Sequence, residues 1–288
     1  MSWRVYLRLG RVSNLPTVWS NVLAGAVLAG ARLAPGELVL LALALSLFYV
    51  GGMYLNDAFD RELDARERPE RPIPAGLVRA GTVFAIGYAL LAAGLLVLVA
   101  RAALAGGSWT APVAGLALAL LIVYYDARHA RDPLSPAVMG LCRGLVYLIA
   151  ALATAGRPTW PLAAGAAALV AYVTGVTGIA AQETRAAFRG RWPLVLFVVP
   201  VASGAPALAA GIAGSLLYAA FVAWVGAALA GLRRPAPGAV PRAVVRLLAG
   251  LSLLDATLVA ARGEPAAAGL AVAAFGLTLL LQRVVKGT

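Results

Sequence analysis

Residues 36–64 read GELVLLALALSLFYVGGMYLNDAFDRELD and pass from a long apolar run directly into a cluster of acids. An apolar run of about 20 residues is the length that crosses the hydrocarbon core of a bilayer as a helix. The stretch therefore predicts a membrane helix over 36–56 with a strongly polar segment at one of its ends.

The composition of the whole chain supports the same interpretation. Of its 288 residues, 62% are hydrophobic and only 12% are charged, and the mean hydropathy is +0.87. A soluble domain carries about a quarter charged residues. Short strands of alternating polarity are absent, which argues against a membrane barrel. The single cysteine, Cys142, excludes an internal disulfide framework and a cysteine-rich metal site.

Ten apolar segments follow one another, separated by proline, glycine or charge. We therefore predict an all-α, polytopic transmembrane bundle of nine to ten spans, forming one domain over residues 1–288. Pro200 and Pro206 interrupt the seventh segment, which makes it the least regular. The predicted segments are 14–31, 36–56, 80–100, 109–125, 134–155, 160–180, 193–211, 213–232, 242–261 and 265–284.

The basic residues predict the orientation. With the N-terminus in the cytoplasm, 19 of the 24 Lys and Arg residues fall on the cytoplasmic side, four fall outside, and Arg143 lies within a span. Such a bias is typical of inner-membrane proteins. The basic residues that give the net charge of +12 flank apolar spans, which suits binding to lipid headgroups rather than to nucleic acid. The apolar segment after the basic N-terminus has no evident cleavage site, so it is predicted to be a retained helix.

The acids beneath the second span have a helical spacing. Asp57, Asp60 and Asp64 stand at i, i+3 and i+7, so on a helix their carboxylates share one stripe. A hard cation such as Mg²⁺, which binds one or two carboxylates plus substrate phosphates, would neutralise them. Arg68 and Arg71, in a proline-stiffened segment close by, offer guanidinium forks for phosphate oxygens. The alternative is a solvated loop with mutual ion pairs.

These residues carry a resemblance to a known family. Asn56-Asp57-x-x-Asp60-x-x-x-Asp64, followed by the segment RPIPAG at 71–76, resembles the first signature of the UbiA superfamily of intramembrane prenyltransferases. The resemblance implies a helical bundle, usually of nine spans, around a central cavity. It also implies a prenyl diphosphate bound through Mg²⁺ and an allylic carbocation captured by an acceptor.

The resemblance assigns roles by position. It implies that Asp57, Asp60 and Asp64 bind the metal, that Asn56 orients them, and that Arg71 contacts the diphosphate. Asp57, Asp60 and Arg71 are accordingly expected to be catalytic, and Arg68 to bind substrate.

The loop after the fourth span resembles the family's pattern of an aromatic residue followed four residues later by a cation. Tyr124 and Arg128 fit this spacing, and Tyr125 and His129 fit it one residue later. Arg128 is preferred as a catalytic, diphosphate-binding residue because it is charged at every pH. An ordinary membrane-flanking arginine is the alternative. Asp126 is expected either to extend the polar site or to pair with Arg128.

Two charged residues lie within predicted spans, where charge is costly and usually functional. Arg143, in the fifth span, is predicted to bind diphosphate or acceptor, although it is near enough to the interface to extend its charge there. Asp255, in the ninth span, is expected to face the cavity or to pair with a basic side chain.

The loop after the sixth span departs from the family. The usual second signature has two or three aspartates at four-residue spacing, whereas this chain has a single acid, Glu183, beside Gln182. Glu183 is expected to supply one metal ligand, and Gln182 and Arg185 to bind substrate. This divergence, with the sequence of residues 132–143, resembles EboC-like members of the superfamily.

The function that follows is Mg²⁺-dependent transfer of a prenyl group from a prenyl diphosphate to an aromatic or a polyol or cyclitol acceptor. The expected partners are these two substrates and membrane lipid, without nucleic acid. A membrane terpene cyclase, which captures the same cation internally, is one alternative. A non-catalytic lipid-binding or transport protein is another.

Overall fold

The computed structural model describes residues 3–32, 34–104, 108–182, 190–233 and 236–285, and these parts are built of helices joined by turns and loops. The predicted all-α fold is confirmed. The helices are α1 (Trp3–Leu9), α2 (Leu15–Leu28), α3 (Pro35–Phe59), α4 (Arg61–Glu67), α5 (Ala80–Leu104), α6 (Thr110–Arg128), α7 (Ser135–Thr154), α8 (Trp160–Ala180), α9 (Trp192–Val195), α10 (Val198–Gly204), α11 (Gly211–Ala230), α12 (Ala239–Ala260) and α13 (Pro265–Val284).

The predicted nine to ten spans are confirmed, and one of the ten predicted segments forms a helix shorter than a full span. Nine helical segments within the described ranges are long and apolar enough to cross a bilayer. The tenth is α2, whose 14 residues extend only about 21 Å. Helix α2 still joins the two ends of the bundle. Arg11, just before it, contacts Asp57 near the end of α3, and its Leu28 carbonyl accepts a hydrogen bond from Thr159, just before α8.

The seventh predicted span is broken in the way its prolines predict. The segment Trp192–Ala209 is apolar enough to cross a membrane, but it consists of α9, α10 and a short 3₁₀ helix at Ala205–Ala209. Proline removes a backbone donor and clashes with the preceding turn, so it interrupts a regular helix.

Helix α2 lies at the centre of the bundle. One apolar core cluster contains side chains of α8, α11, α12 and α13, and a second contains side chains of α3, α5 and α6. Helices α2 and α7 contribute to both clusters. Because most of α2 is buried, with Trp19 exposed, the residues that precede it are held at the middle of one end of the bundle.

The packing of α2 on α7 depends on a glycine. A Cβ atom at Gly25 would lie 2.6 Å from the carbonyl oxygen of Tyr147 and 2.8 Å from the Cα atom of that residue. These are backbone atoms that cannot rotate away. Small residues at such crossings let membrane helices approach closely, where van der Waals contact drives their association.

The variant Gly25→Ala should therefore lower the free energy of unfolding by about 1–3 kcal/mol, because the added methyl group forces the two backbones apart. Thermal unfolding in detergent, followed by circular dichroism, measures the effect. Gly269→Ala in α13 is the matched control, since open space surrounds that glycine. Equal melting temperatures for the two variants would contradict the tight α2–α7 contact.

Candidate active site

The acidic stretch spans a junction between two helices. Helix α3 ends at Phe59 and α4 begins at Arg61, with Asp60 between them. The helical hydrogen bonds continue through the junction, because the Asp60 amide donates to the Asn56 carbonyl and the Asp64 amide donates to the Asp60 carbonyl. The backbone therefore keeps a helical course across the three aspartates.

Two of the three carboxylates share one arginine. A terminal nitrogen of Arg71 lies 2.8 Å from Asp64 Oδ2 and 3.3 Å from Asp57 Oδ1. Arg11 adds a second guanidinium, 3.2 Å from Asp57 Oδ1 and 3.3 Å from Asn56 Oδ1. Asp57 and Asp64 are buried, so this is an enclosed ionic cluster rather than the solvated loop of the alternative interpretation.

The third carboxylate faces a different set of partners. His129 Nε2 lies 3.3 Å from Asp60 Oδ1, and Asn56 Nδ2 donates to Asp126 Oδ1 at 3.3 Å. Asp126 therefore extends the polar site through Asn56 instead of pairing with Arg128. Among the described residues, the buried atoms Asp126 Oδ2 and His129 Nδ1 have no hydrogen-bond partner.

Burial and pairing act against each other on the pKa values at this site. Burial raises the pKa of Asp64 above its ordinary value, and Arg71 only partly offsets this. Burial alone would lower the pKa of His129, but the hydrogen bond and charge of Asp60 outweigh it, so the pKa is raised. For Arg11, burial is likewise outweighed, chiefly by Asp57, and the pKa is raised.

These groups form the polar end of a cavity of about 630 Å³. Asn56, Asp60, Asp64, Asp126 and His129 line it, whereas Asp57 lies behind them in its ion pairs. The rest of the wall is largely apolar and comes from α2, α3, α6, α7, α8 and α12. A hydrocarbon chain with an anionic headgroup matches this division into an apolar body and a charged mouth.

The donors at the mouth suit a hard divalent cation in their chemistry. Asp60, Asp64, Asp126 and Asn56 offer carboxylate and amide oxygens, and one carboxylate oxygen of Asp126 is buried without a partner. Across the described ranges, no three acidic, histidine or cysteine side chains converge as a ready-made metal site. Mg²⁺ does not require this, because one or two carboxylates are commonly completed by substrate phosphates and water.

The structure separates the two aromatic–cation pairs of the fourth loop. Tyr125 and His129 stack with ring centroids 5.0 Å apart and line the cavity. Tyr124 and Arg128 are exposed and border a separate surface recess, where the Tyr124 hydroxyl donates to Asp132. The geometry thus favours Tyr125 and His129 over Tyr124 and Arg128, the pair that the sequence analysis preferred. The diphosphate-binding roles given to Tyr124 and Arg128 stay predictions.

The predicted substrate-binding residues Arg68 and Gln182 differ in their position relative to the cavity. Arg68 lines the mouth of the cavity. Gln182 is buried just after α8 and donates to the Gly178 carbonyl at 3.2 Å. It is not among the residues that line the cavity. Glu183 and Arg185 lie outside the described residues, and their predicted roles stay predictions.

Arg143 and Asp255 meet through a third residue. Arg143 lines the cavity and donates to Asn21 Oδ1 at 3.0 Å. Asn21 Nδ2 donates in turn to Asp255 Oδ2 at 2.8 Å. Asp255 is fully buried and does not line the cavity.

Sequence reasoning did not single out Arg11. Arg11 is 45 residues from Asn56 in the chain. The sequence analysis used it only as one of the basic residues of the N-terminus that indicate orientation. Its backbone is left-handed, with φ 42° and ψ 46°, a conformation that costs a residue with a Cβ about 1–2 kcal/mol. Backbone strain of this kind is common at functional sites. Here it occurs in the residue whose guanidinium contacts Asn56 and Asp57. No pattern in the sequence signals it.

Fold and site together define a polytopic membrane protein whose helices enclose an apolar cavity with a carboxylate- and arginine-lined mouth. The model of the UbiA prenyltransferase family matches residues 17–237. The chain therefore belongs to the UbiA prenyltransferase family, as its first signature predicts.

Curated relatives match over part of their length. A digeranylgeranylglyceryl phosphate synthase of Ignicoccus hospitalis is 37% identical over 123 residues, which are 43% of this chain and 38% of that protein. One from Methanopyrus kandleri is 37% identical over 123 residues, 42% of each chain. The matched part thus spans less than half of these relatives. The resemblance to EboC-like members stays a prediction.

Solved structures confirm the fold. One, concerned with digeranylgeranylglyceryl phosphate synthase in membranes, superimposes with a TM-score of 0.62 at 18% identity, covering 90% of this chain and 97% of that one. An apo UbiA homologue from Aeropyrum pernix K1 gives a TM-score of 0.52 at 18% identity, covering 93% and 98%.

Replacing Arg71 should destabilise the protein. In Arg71→Gln, Asp64 loses its cation and Asp57 keeps only Arg11, and uncompensated buried charge is costly. We expect a loss of about 2 kcal/mol in the free energy of unfolding, below the range for fully buried pairs because Arg71 is partly exposed. Thermal unfolding in Mg²⁺-free detergent measures it. The exposed Arg79→Gln is the control, and identical melting temperatures would show that the pairs contribute nothing.

Proposed function

We propose that this chain is a Mg²⁺-dependent prenyltransferase that moves a prenyl group from a prenyl diphosphate to the hydroxyl group of a polyol-type acceptor within the membrane. The observation that carries the proposal is the apolar cavity whose one charged end combines carboxylates with guanidinium groups. Family membership supports prenyl chemistry. The relatives' name, with its glyceryl phosphate, supports a polyol acceptor over an aromatic one.

The prenyl donor would lie lengthwise in the cavity. Its hydrocarbon tail contacts the apolar walls, and its diphosphate reaches the mouth beside Arg68, Arg71 and Arg11. Guanidinium groups bind phosphate oxygens through paired, charge-assisted hydrogen bonds. Arg71 is already held by two carboxylates, so it is preorganised where negative charge develops as the leaving group departs.

Asp60 and Asp64 are the residues we propose to hold magnesium, with Asp57 behind them and Asn56 and Asp126 completing the oxygen-rich rim. Mg²⁺ bound there supplies Lewis-acid neutralisation of the diphosphate charge. Glu183 remains a candidate further ligand.

In the transfer, the bond between C1 of the prenyl chain and the diphosphate oxygen breaks, and its electron pair leaves with pyrophosphate. A lone pair of the acceptor oxygen forms the new bond to C1, and the hydroxyl proton leaves with the pyrophosphate. The apolar wall, with Phe48, Leu118 and Val176, excludes the water that would otherwise capture the allylic cation.

The setting of the site is part of the proposal. We place the N-terminus and the mouth of the cavity on the cytoplasmic side of the cell membrane, because most Lys and Arg residues flank that end. Residues 1–288 then form one prenyltransferase domain that exchanges its donor and product with the lipid bilayer.

Asp60→Asn and Asp64→Asn should each reduce turnover by at least about 10²–10³-fold, the usual effect of losing one transition-state stabiliser. The assay measures Mg²⁺-dependent pyrophosphate release and prenylated lipid by mass spectrometry, with the purified protein in detergent. Glu62→Gln is the matched control, because Glu62 belongs to the same acidic stretch but its side chain is 77% exposed. Full activity of the two aspartate variants would refute the proposal that Asp60 and Asp64 hold magnesium at the mouth of the cavity.

Supplying prenyl diphosphate without any acceptor separates transfer from cyclisation. A transferase should release pyrophosphate slowly under these conditions and accelerate when a polyol acceptor is added. Rapid release with a cyclic hydrocarbon product would instead identify a terpene cyclase. The absence of Mg²⁺-dependent pyrophosphate release under every condition would favour a lipid-binding or transport protein.

A further inference from the structure

The surface recess at the end of α6 is separate from the cavity and has a volume of about 570 Å³. Its walls come from the last turn of α6 and the loop that follows, namely Tyr124, Ala127, Arg128, Arg131, Asp132 and Pro133. Tyr125, Asp126 and His129 of the same stretch line the cavity instead. The recess and the candidate active site therefore use different faces of α6.

Two exposed arginines give this recess its positive charge. The Arg128 carbonyl accepts hydrogen bonds from the amides of Arg131 and Asp132, at 2.9 and 3.0 Å, so one tight turn carries both arginine side chains. Each guanidinium has five N–H donors in a fixed fork. Within the described parts of the chain, neither guanidinium has an ion pair or a hydrogen bond to a protein group. Both forks can therefore bind a ligand without giving up a contact with the protein.

The acid of the recess does not neutralise these arginines. Asp132 Oδ2 accepts from the Tyr124 hydroxyl at 3.0 Å, and Asp132 Oδ1 accepts from the Leu134 amide at 2.8 Å. Both carboxylate oxygens are thus satisfied by neutral donors. With two arginines and one aspartate among its lining residues, the recess keeps an excess of positive charge. It therefore favours an anionic ligand over a cationic one.

An exposed apolar stripe runs along α6 to this recess. Val113, Leu116 and Leu120 stand at i, i+3 and i+7 and are 65%, 47% and 62% exposed. Tyr124 continues the stripe by one turn, and Arg128 follows one turn later. Helix α6 is long and apolar enough to cross a bilayer, so this stripe contacts lipid chains. The backbone of Arg128 lies about 12 Å beyond that of Leu120, where the headgroup of such a lipid would be.

We propose that the recess binds the phosphate headgroup of one anionic phospholipid, whose acyl chain lies along the apolar stripe of α6. The continuity of the stripe with the two arginines selects a lipid over a soluble anion. The excess positive charge selects an anionic headgroup, since basic pockets at the ends of membrane helices bind such lipids. Guanidinium forks match phosphate oxygens with paired hydrogen bonds. The lipid site lies outside the cavity, so it does not depend on the proposed function.

Lipid binding to the purified full-length protein tests this site. Phosphatidylglycerol and phosphatidylcholine with identical acyl chains are titrated into the protein in detergent, and native mass spectrometry gives the Kd of the first bound lipid. We expect phosphatidylglycerol to bind more tightly. The double variant Arg128→Gln/Arg131→Gln should raise its Kd by about thirtyfold, about fivefold for each arginine, and should change the Kd of phosphatidylcholine much less.

Arg157→Gln/Arg262→Gln is the matched control. It removes the same charge from two exposed arginines, which follow α7 and α12 rather than α6, and it should leave the binding of both lipids unaltered. Arg128→Lys/Arg131→Lys keeps the charge and should retain most of the preference for phosphatidylglycerol. Equal effects of the control and of the glutamine variant at the recess would overturn the proposal, because net charge alone would then explain the binding.

A photoreactive phosphatidylglycerol with a diazirine on its acyl chain locates the lipid. It should label peptides that contain residues 113–120, and the glutamine variant at the recess should reduce this labelling by about the same factor as it weakens binding. Glycerol phosphate, which has no acyl chain, should not displace the lipid. If glycerol phosphate bound with the same dependence on both arginines, the site would take a soluble phosphate, and the lipid assignment would be wrong.

Geranylgeranyl diphosphate is the last probe, because the sequence analysis preferred Arg128 as a ligand of the diphosphate. If Arg128→Gln weakened binding of this diphosphate and left phosphatidylglycerol binding unaltered, Arg128 would belong to the donor site and the lipid site would be refuted. Lipid binding requires no turnover, so the two proposals fail separately. An inactive protein that keeps its arginine-dependent preference for phosphatidylglycerol would overturn prenyl transfer and support the lipid site.

Discussion

The constraint on which the rest of this structure depends is that buried carboxylates in an apolar bundle need cations beside them. Arg71 meets it by contacting Asp57 and Asp64 together, and Arg11 contacts the same oxygen of Asp57 as Arg71 does. These contacts tie the segment after α4 and the residues before α2 to the end of α3. The same pairing therefore closes the ionic cluster and defines the mouth of the cavity.

The central position of α2 makes this possible. A helix enclosed by both apolar clusters does not need to match the full thickness of the bilayer, because its neighbours shield its ends. Its close contact with α7 at Gly25 brings Asn21 within reach of Arg143. Helix packing and polar contacts are thus coupled. The small residue allows the approach, and the approach places an amide between two charges that would otherwise be unpaired at depth.

Much of the fold was predictable, because the requirement to bury apolar residues and expose charge acts along the chain. The lengths of the spans, the proline break before α11 and the acids at one end follow from it. The site was most predictable where its residues are close in sequence, as with Asp57, Asp60, Asp64 and Arg71. A shift of one residue turns a helix by about 100°, which is why the spacing alone did not separate Tyr124 and Arg128 from Tyr125 and His129.

The sequence by itself determined the class of protein, the number of helical segments and the family signature, since these depend on composition and local spacing. Only the tertiary structure decided which carboxylates are presented to the cavity and which are held in ion pairs, that Arg11 joins the cluster, and that Asn21 links Arg143 to Asp255. The contacts of Arg11 and Asn21 join residues between 45 and 234 positions apart. They depend on how each helix is rotated and how closely it packs, and that is set by the complete set of neighbours.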